Sequence, residues 1–237
     1  MHADTRGKYA LGLFLLFLTA VGSAQADAII FDGGGPDLFS GSVSDVDWSS
    51  PAQTAESFVL SSDANTITDI HWWGSYVFDG VAHFPTDLFT FQIYGDNAGL
   101  PGALVWSETA TLSNRVDTGD TLSSSPTYHV YAYEYVLAAP QTLTPGNVYY
   151  LSIFNNTTGY DSDDWIWVTA GNDFGEAFQE TLGSDNWYVL GFDHAFQLTG
   201  PGRVVPEPAS LVLVGLGLAG LARRRLRRSA LHLPRLR

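Results

Sequence analysis

Asp161-Ser162-Asp163-Asp164, directly ahead of Trp165, places three carboxylates within four residues. Carboxylate oxygens are hard ligands suited to calcium. Asp161, Asp163 and Asp164 are therefore candidates to hold one Ca²⁺ in a loop, and the competing reading is a solvated acidic turn. Asp45-Val46-Asp47 is a smaller acidic pair. Neither follows the EF-hand loop, because the internal glycine and the distal glutamate are missing. His71, His83, His129 and His194 show no H-x-H or H-E-x-x-H spacing, which argues against zinc. The chain has no cysteine, so it has no disulfide, thiolate nucleophile or cysteine-ligated metal. It has no G-x-S-x-G elbow and no phosphate-binding loop. A glycosidase needs two carboxyls flanking a cleft at a set separation. With 23 acidic residues between Asp27 and Gly200, close pairs arise by chance. These residues read as a protein that is not an enzyme, with a secreted carbohydrate-active enzyme and a calcium-dependent adhesin as alternatives.

The tryptophans allow a second kind of chemistry. Trp72, Trp73, Trp165, Trp167 and Trp187 could offer indole faces for stacking on sugars. In DWIWV, residues 164–168, Trp165 and Trp167 share one strand face, with Ile166 and Val168 on the other. If the aliphatic face is core, the two indoles form an exposed sugar-binding platform. If the indoles are core, they fill the interior.

The elements that must position these residues are strands. In LFTFQIY, 88–94, Phe89, Phe91 and Ile93 alternate with polar residues. YHVYAYEYVL, 128–137, places Tyr131, Tyr133, Tyr135 and Leu137 on one face. VYYLSIF, 148–154, follows the same pattern. FDHAFQL, 192–198, sends Phe192, His194, Phe196 and Leu198 to one side, which makes His194 a core or rim histidine. Turn formers separate the runs, as in Thr144-Pro145-Gly146-Asn147. No body segment sustains helical spacing. About nine to eleven short strands imply an all-β fold, a single antiparallel β-sandwich of jelly-roll type over residues 27–200.

Charge is distributed unevenly. From Asp27 to Gly200 the formal charge is −22, with Arg115 the single basic residue, and seven arginines crowd the C-terminal end. Such a body repels phosphate backbones, so no nucleic-acid partner is expected. Residues 1–26 combine Arg6 and Lys8, an apolar run from Ala10 to Gly22, and a small-x-small site at Ala24-Gln25-Ala26. This pattern predicts a signal peptide cleaved after Ala26.

After a linker at 201–205, Pro206-Glu207-Pro208 disfavours both helix and sheet and should present a stiff, extended segment suited to a protease-like groove. Ala209 to Ala222 follows, 14 residues without a charge. As a helix it covers roughly 21 Å against a hydrocarbon core of ~30 Å, which suits a transient span of the inner membrane. Arg223, Arg224, Arg225, Arg227 and Arg228 would hold its end in the cytoplasm. Residues 229–237 form a basic extension.

Two resemblances follow. Ile70-His71-Trp72-Trp73-Gly74, Phe89 to Tyr94 with Asp96 to Gly102, and Leu143 to Ile153 resemble β-sandwich modules of exported bacterial proteins, described as carbohydrate-binding-like or adhesive. Val205 to Arg228 resembles the PEP-CTERM sorting signal of Gram-negative bacteria. That resemblance implies recognition of Pro206, Glu207 and Pro208 by an exosortase, export to the cell surface or extracellular matrix, and association with exopolysaccharide in a biofilm. The SALHLPRLR extension is a departure from typical tails.

Overall fold

Period-two alternation builds two antiparallel sheets that share one interior. The computed structural model describes residues 27–47, 49–78, 81–159, 163–171 and 175–201. Ala24, Ala26, Asp161, Pro206, Glu207, Pro208 and the arginines Arg223, Arg224, Arg225, Arg227 and Arg228 lie outside the described residues. The first sheet contains β1 (Asp27–Asp32), β2 (Pro36–Val43), β4 (Thr66–Tyr76), β7 (Val116–Leu122), β8 (Ser125–Thr142), β10 (Trp165–Ala170) and β13 (Phe196–Pro201). Its order is β1-β13-β4-β10-β2, with β8 on the other edge of β4 and β7 beyond it. The second sheet, in the order β12-β11-β3-β9-β5-β6, contains β3 (Ala52–Val59), β5 (Asp87–Asp96), β6 (Pro101–Leu112), β9 (Val148–Asn155), β11 (Ala177–Thr181) and β12 (Tyr188–Val189). The expected all-β sandwich is present, and no helix occurs among the described residues.

The interior is aromatic. Trp72 stacks on Tyr133 with centroids 5.3 Å apart and meets Phe89 and Phe91 edge-on. Phe89 in turn meets Trp165 at 5.0 Å. Phe89, Phe91 and Ile93 are fully buried, as their alternation predicts. Gly74 makes room for this packing, since a Cβ there would lie 2.2 Å from the Trp165 indole nitrogen.

Two departures from simple alternation bear on function. The run 192–198 becomes a strand only from Phe196, and Phe192 is exposed. The residues before Phe196 bond to β10 instead, through Ala170 N to the Asp193 carbonyl and Ala195 N to the Val168 carbonyl. The first sheet also curls until the tip of the β7–β8 hairpin reaches β2, where Ser123 and Ser124 donate to the carbonyls of Leu38 and Phe39. The curl encloses a second apolar cluster of Leu122, Val130, Ile166 and Val168.

Candidate functional site

Trp165 and Trp167 are both fully buried, so the expected indole platform is not formed. The reason is the curl: Ile166 and Val168 fill the second cluster while the indoles fill the space between the sheets, and neither face of β10 meets solvent. Trp167 donates its indole N–H to the Ala195 carbonyl at 3.0 Å.

Asp45 and Asp163 have hydrogen-bond partners within the fold. Asp45 is fully buried and accepts from Asp47 N, Thr157 Oγ1 and Trp165 N at 2.8–2.9 Å, which ties the β2–β3 connection to the β9–β10 connection and the start of β10. Burial pushes its carboxyl up to about 6 against those donors. Asp163 turns its two oxygens to His83, accepting from the backbone N–H and meeting Nδ1, each at 2.7 Å. Asp164 is raised by burial and then by Asp47 and Asp163. Among the described residues no three His, Asp or Glu side chains converge as a metal requires.

Arg115 enters a buried knot. Its guanidinium donates to Asp87 Oδ2 at 2.8 Å and to the Phe84 carbonyl at 2.7 Å, and lies over the rings of Tyr76, Phe84 and Tyr131. Asp87 also accepts from Tyr76 and Asn155. Burial raises the Asp87 carboxyl, and the Tyr76 bond and Arg115 oppose that rise.

One constellation has the order of groups used in nucleophilic catalysis. Ser42 of β2 meets His194 Nε2 at 2.9 Å, and His194 Nδ1 lies 3.4 Å from Glu56 of β3. His194 also donates its backbone N–H to Glu56 at 2.9 Å. Burial drives the imidazole down to about 3, and burial with neighbouring Asp193 drives Glu56 up, so both groups favour their neutral forms. His194 and Glu56 have no solvent exposure. A general acid must reach a leaving group, and His194 has no open edge from which to do so. The trio ties the two sheets together. Ser42 and Glu56 carried no local signal, because their contacts to His194 span 152 and 138 residues.

A different surface carries accessible aromatic rings. On the outer face of the second sheet, Trp187 meets Tyr94 edge-on at 5.6 Å, and both are half-buried. They pack against Ala55, Tyr150 and Phe178. The Tyr94 hydroxyl donates to Gln92 at 2.6 Å and accepts from the Gln53 amide at 3.1 Å, and the same amide donates to Glu180 at 2.6 Å. The pair is thus set in a chain of amide and carboxylate groups. Trp187 is one of the tryptophans that the sequence offers for stacking on sugars, whereas Tyr94 has only the signal of its strand, 88–94.

Residues 36–199, more than half of the chain, match a family described as a domain of unknown function, DUF7901. The chain belongs to the DUF7901 family. The DUF7901 match runs from the start of β2 into β13 and leaves β1 outside it. Residues 204–228 match the PEP-CTERM protein-sorting motif. The DUF7901 body is thus carried by an exported protein that an exosortase sorts to the cell surface. No curated protein matches the chain.

Proposed function

We propose that this DUF7901 protein is a non-catalytic surface or matrix component whose sandwich holds extracellular polysaccharide in a structural and adhesive role. The supporting observation is the outer face at Trp187 and Tyr94. Aromatic rings stack on the apolar faces of sugars, and amides and carboxylates nearby can bond hydroxyls. The formal charge of −22 between Asp27 and Gly200 favours neutral over anionic polysaccharide. The closed Ser42–His194–Glu56 trio supports a role without catalysis. Affinity electrophoresis provides the test, using gels with dextran, mixed-linkage β-glucan or alginate. Retardation is expected in a neutral gel and not in alginate, and Trp187→Ala should abolish it. Equal mobility of wild type in all gels would sink the reading.

A further inference from the structure

The sorting motif is attached to the sandwich by a very short tether. β13 ends at Pro201, whose partner in the ladder is Asp27, the outermost pair of β1 and β13. The sorting match begins at residue 204, and Pro206 is the fifth residue beyond Pro201. Five residues span at most about 18 Å in any conformation. An enzyme that grips Pro206 to Pro208 therefore works within about that distance of the sheet end, which is the part of the body nearest to it.

The structure shows what stands there. Gly200 passes so close to β4 that a Cβ would lie 2.0 Å from the Thr66 carbonyl oxygen. Thr66 pairs with Thr142, and their hydroxyls lie 2.9 Å apart. The turn after Thr142 is tied down from both sides: Leu143 N donates to the Asn65 carbonyl at 3.0 Å, Asn65 Nδ2 to the Leu143 carbonyl at 2.9 Å, and Gly146 N to the Leu60 carbonyl at 2.9 Å. Gly146 closes the turn at φ 77°, a left-handed conformation that suits glycine. The result is a preformed face beside the tether. Its exposed side chains are short and uncharged at Thr142, Thr144 and Asn147, with Asp27 and Asp63 at its margin.

We infer that this end of the sandwich, formed by Thr66, Thr142 and the 143–147 turn beside Asp27 and Pro201, is the surface that meets the exosortase during processing of the tail. The inference rests on the sorting assignment. A small folded domain inserted between Pro145 and Gly146 would place bulk on this face. The same domain inserted between Ser123 and Ser124 lies at the far end of β8 and serves as control. Both are expressed as the full chain in cells with an active exosortase, with folding of the body checked by protease resistance. Processing of the 145/146 insertion should be at least about tenfold slower, and the 123/124 insertion should run near the wild-type rate. A Gly/Ser spacer of about 20 residues after Pro201, adding up to roughly 70 Å of reach, should restore processing of the 145/146 insertion. Equal processing of the two insertions overturns the inference, as does a spacer that fails to rescue a folded body. Wild type left unprocessed in those cells would instead remove the sorting assignment.

Discussion

Among single residues, His194 has the most consequences for the fold. The expected core position of His194 agrees with its burial, but the period-two face drawn through Phe192 does not hold there, since Phe192 is exposed and Asp193 and Ala195 are buried beside it. The sequence does not reveal why a histidine is tolerated there, since Ser42 and Glu56 come from strands far away in the chain. Removing the imidazole leaves a hydroxyl and a carboxyl buried with fewer partners, each costing about 1–3 kcal/mol. His194→Ala should therefore lower stability by about 2–4 kcal/mol in urea unfolding. The pH dependence is equally specific. Burial holds the folded pKa at about 3, against 6.5 for an ordinary histidine. Its contribution is complete above pH 6.5 and is lost as pH falls toward 3, because the unfolded chain takes up the proton first. Between those limits wild type should lose stability more steeply than His194→Asn. Parallel slopes would show that the imidazole is not held neutral.

At the scale of elements, strands were easier to read than the use of their faces. In LFTFQIY, Phe89, Phe91 and Ile93 alternate with the polar Thr90 and Gln92, so its inner face follows directly, whereas YHVYAYEYVL carries Val130 and Ala132 opposite its tyrosines and buries Val130 in the second cluster. DWIWV alternates indole with aliphatic side chains, and both sets are apolar, so pattern alone left its orientation open. The answer came from curvature: the β7–β8 hairpin closes on β2 and covers the side of β10 that a flat sheet would leave to water. Curling of this kind depends on pairing between distant strands and leaves no local trace. It predicts a large cost for Trp165→Ala, about 3–5 kcal/mol as for other buried large-to-small changes. An exposed platform residue would cost less than about 1 kcal/mol. Denaturant midpoints at constant m-value separate the two outcomes.

Over the whole molecule, charge and chain ends are organised separately from the core. Composition alone showed an acidic body between two basic ends, and the structure adds that the one internal cation is committed. Arg115 serves Asp87, Tyr76 and the Phe84 carbonyl, so it does little to offset the exposed carboxylates. Repulsion among those carboxylates acts over a Debye length, which falls from about 30 Å at 0.01 M salt to about 10 Å at 0.1 M. The melting temperature of residues 27–201 should therefore rise over that range, and sodium and choline chlorides should act alike because screening depends on ionic strength. Calcium provides the discriminating measurement. Asp45 is saturated by backbone and hydroxyl donors and Asp163 is engaged by His83, so two of the acidic groups nearest Trp165 are already occupied. At matched ionic strength, millimolar calcium should stabilise no more than sodium does, and EDTA should leave the midpoint unchanged. A rise specific to calcium, reversed by EDTA and absent in Asp161→Asn, would instead establish the cation site expected at Asp161, Asp163 and Asp164.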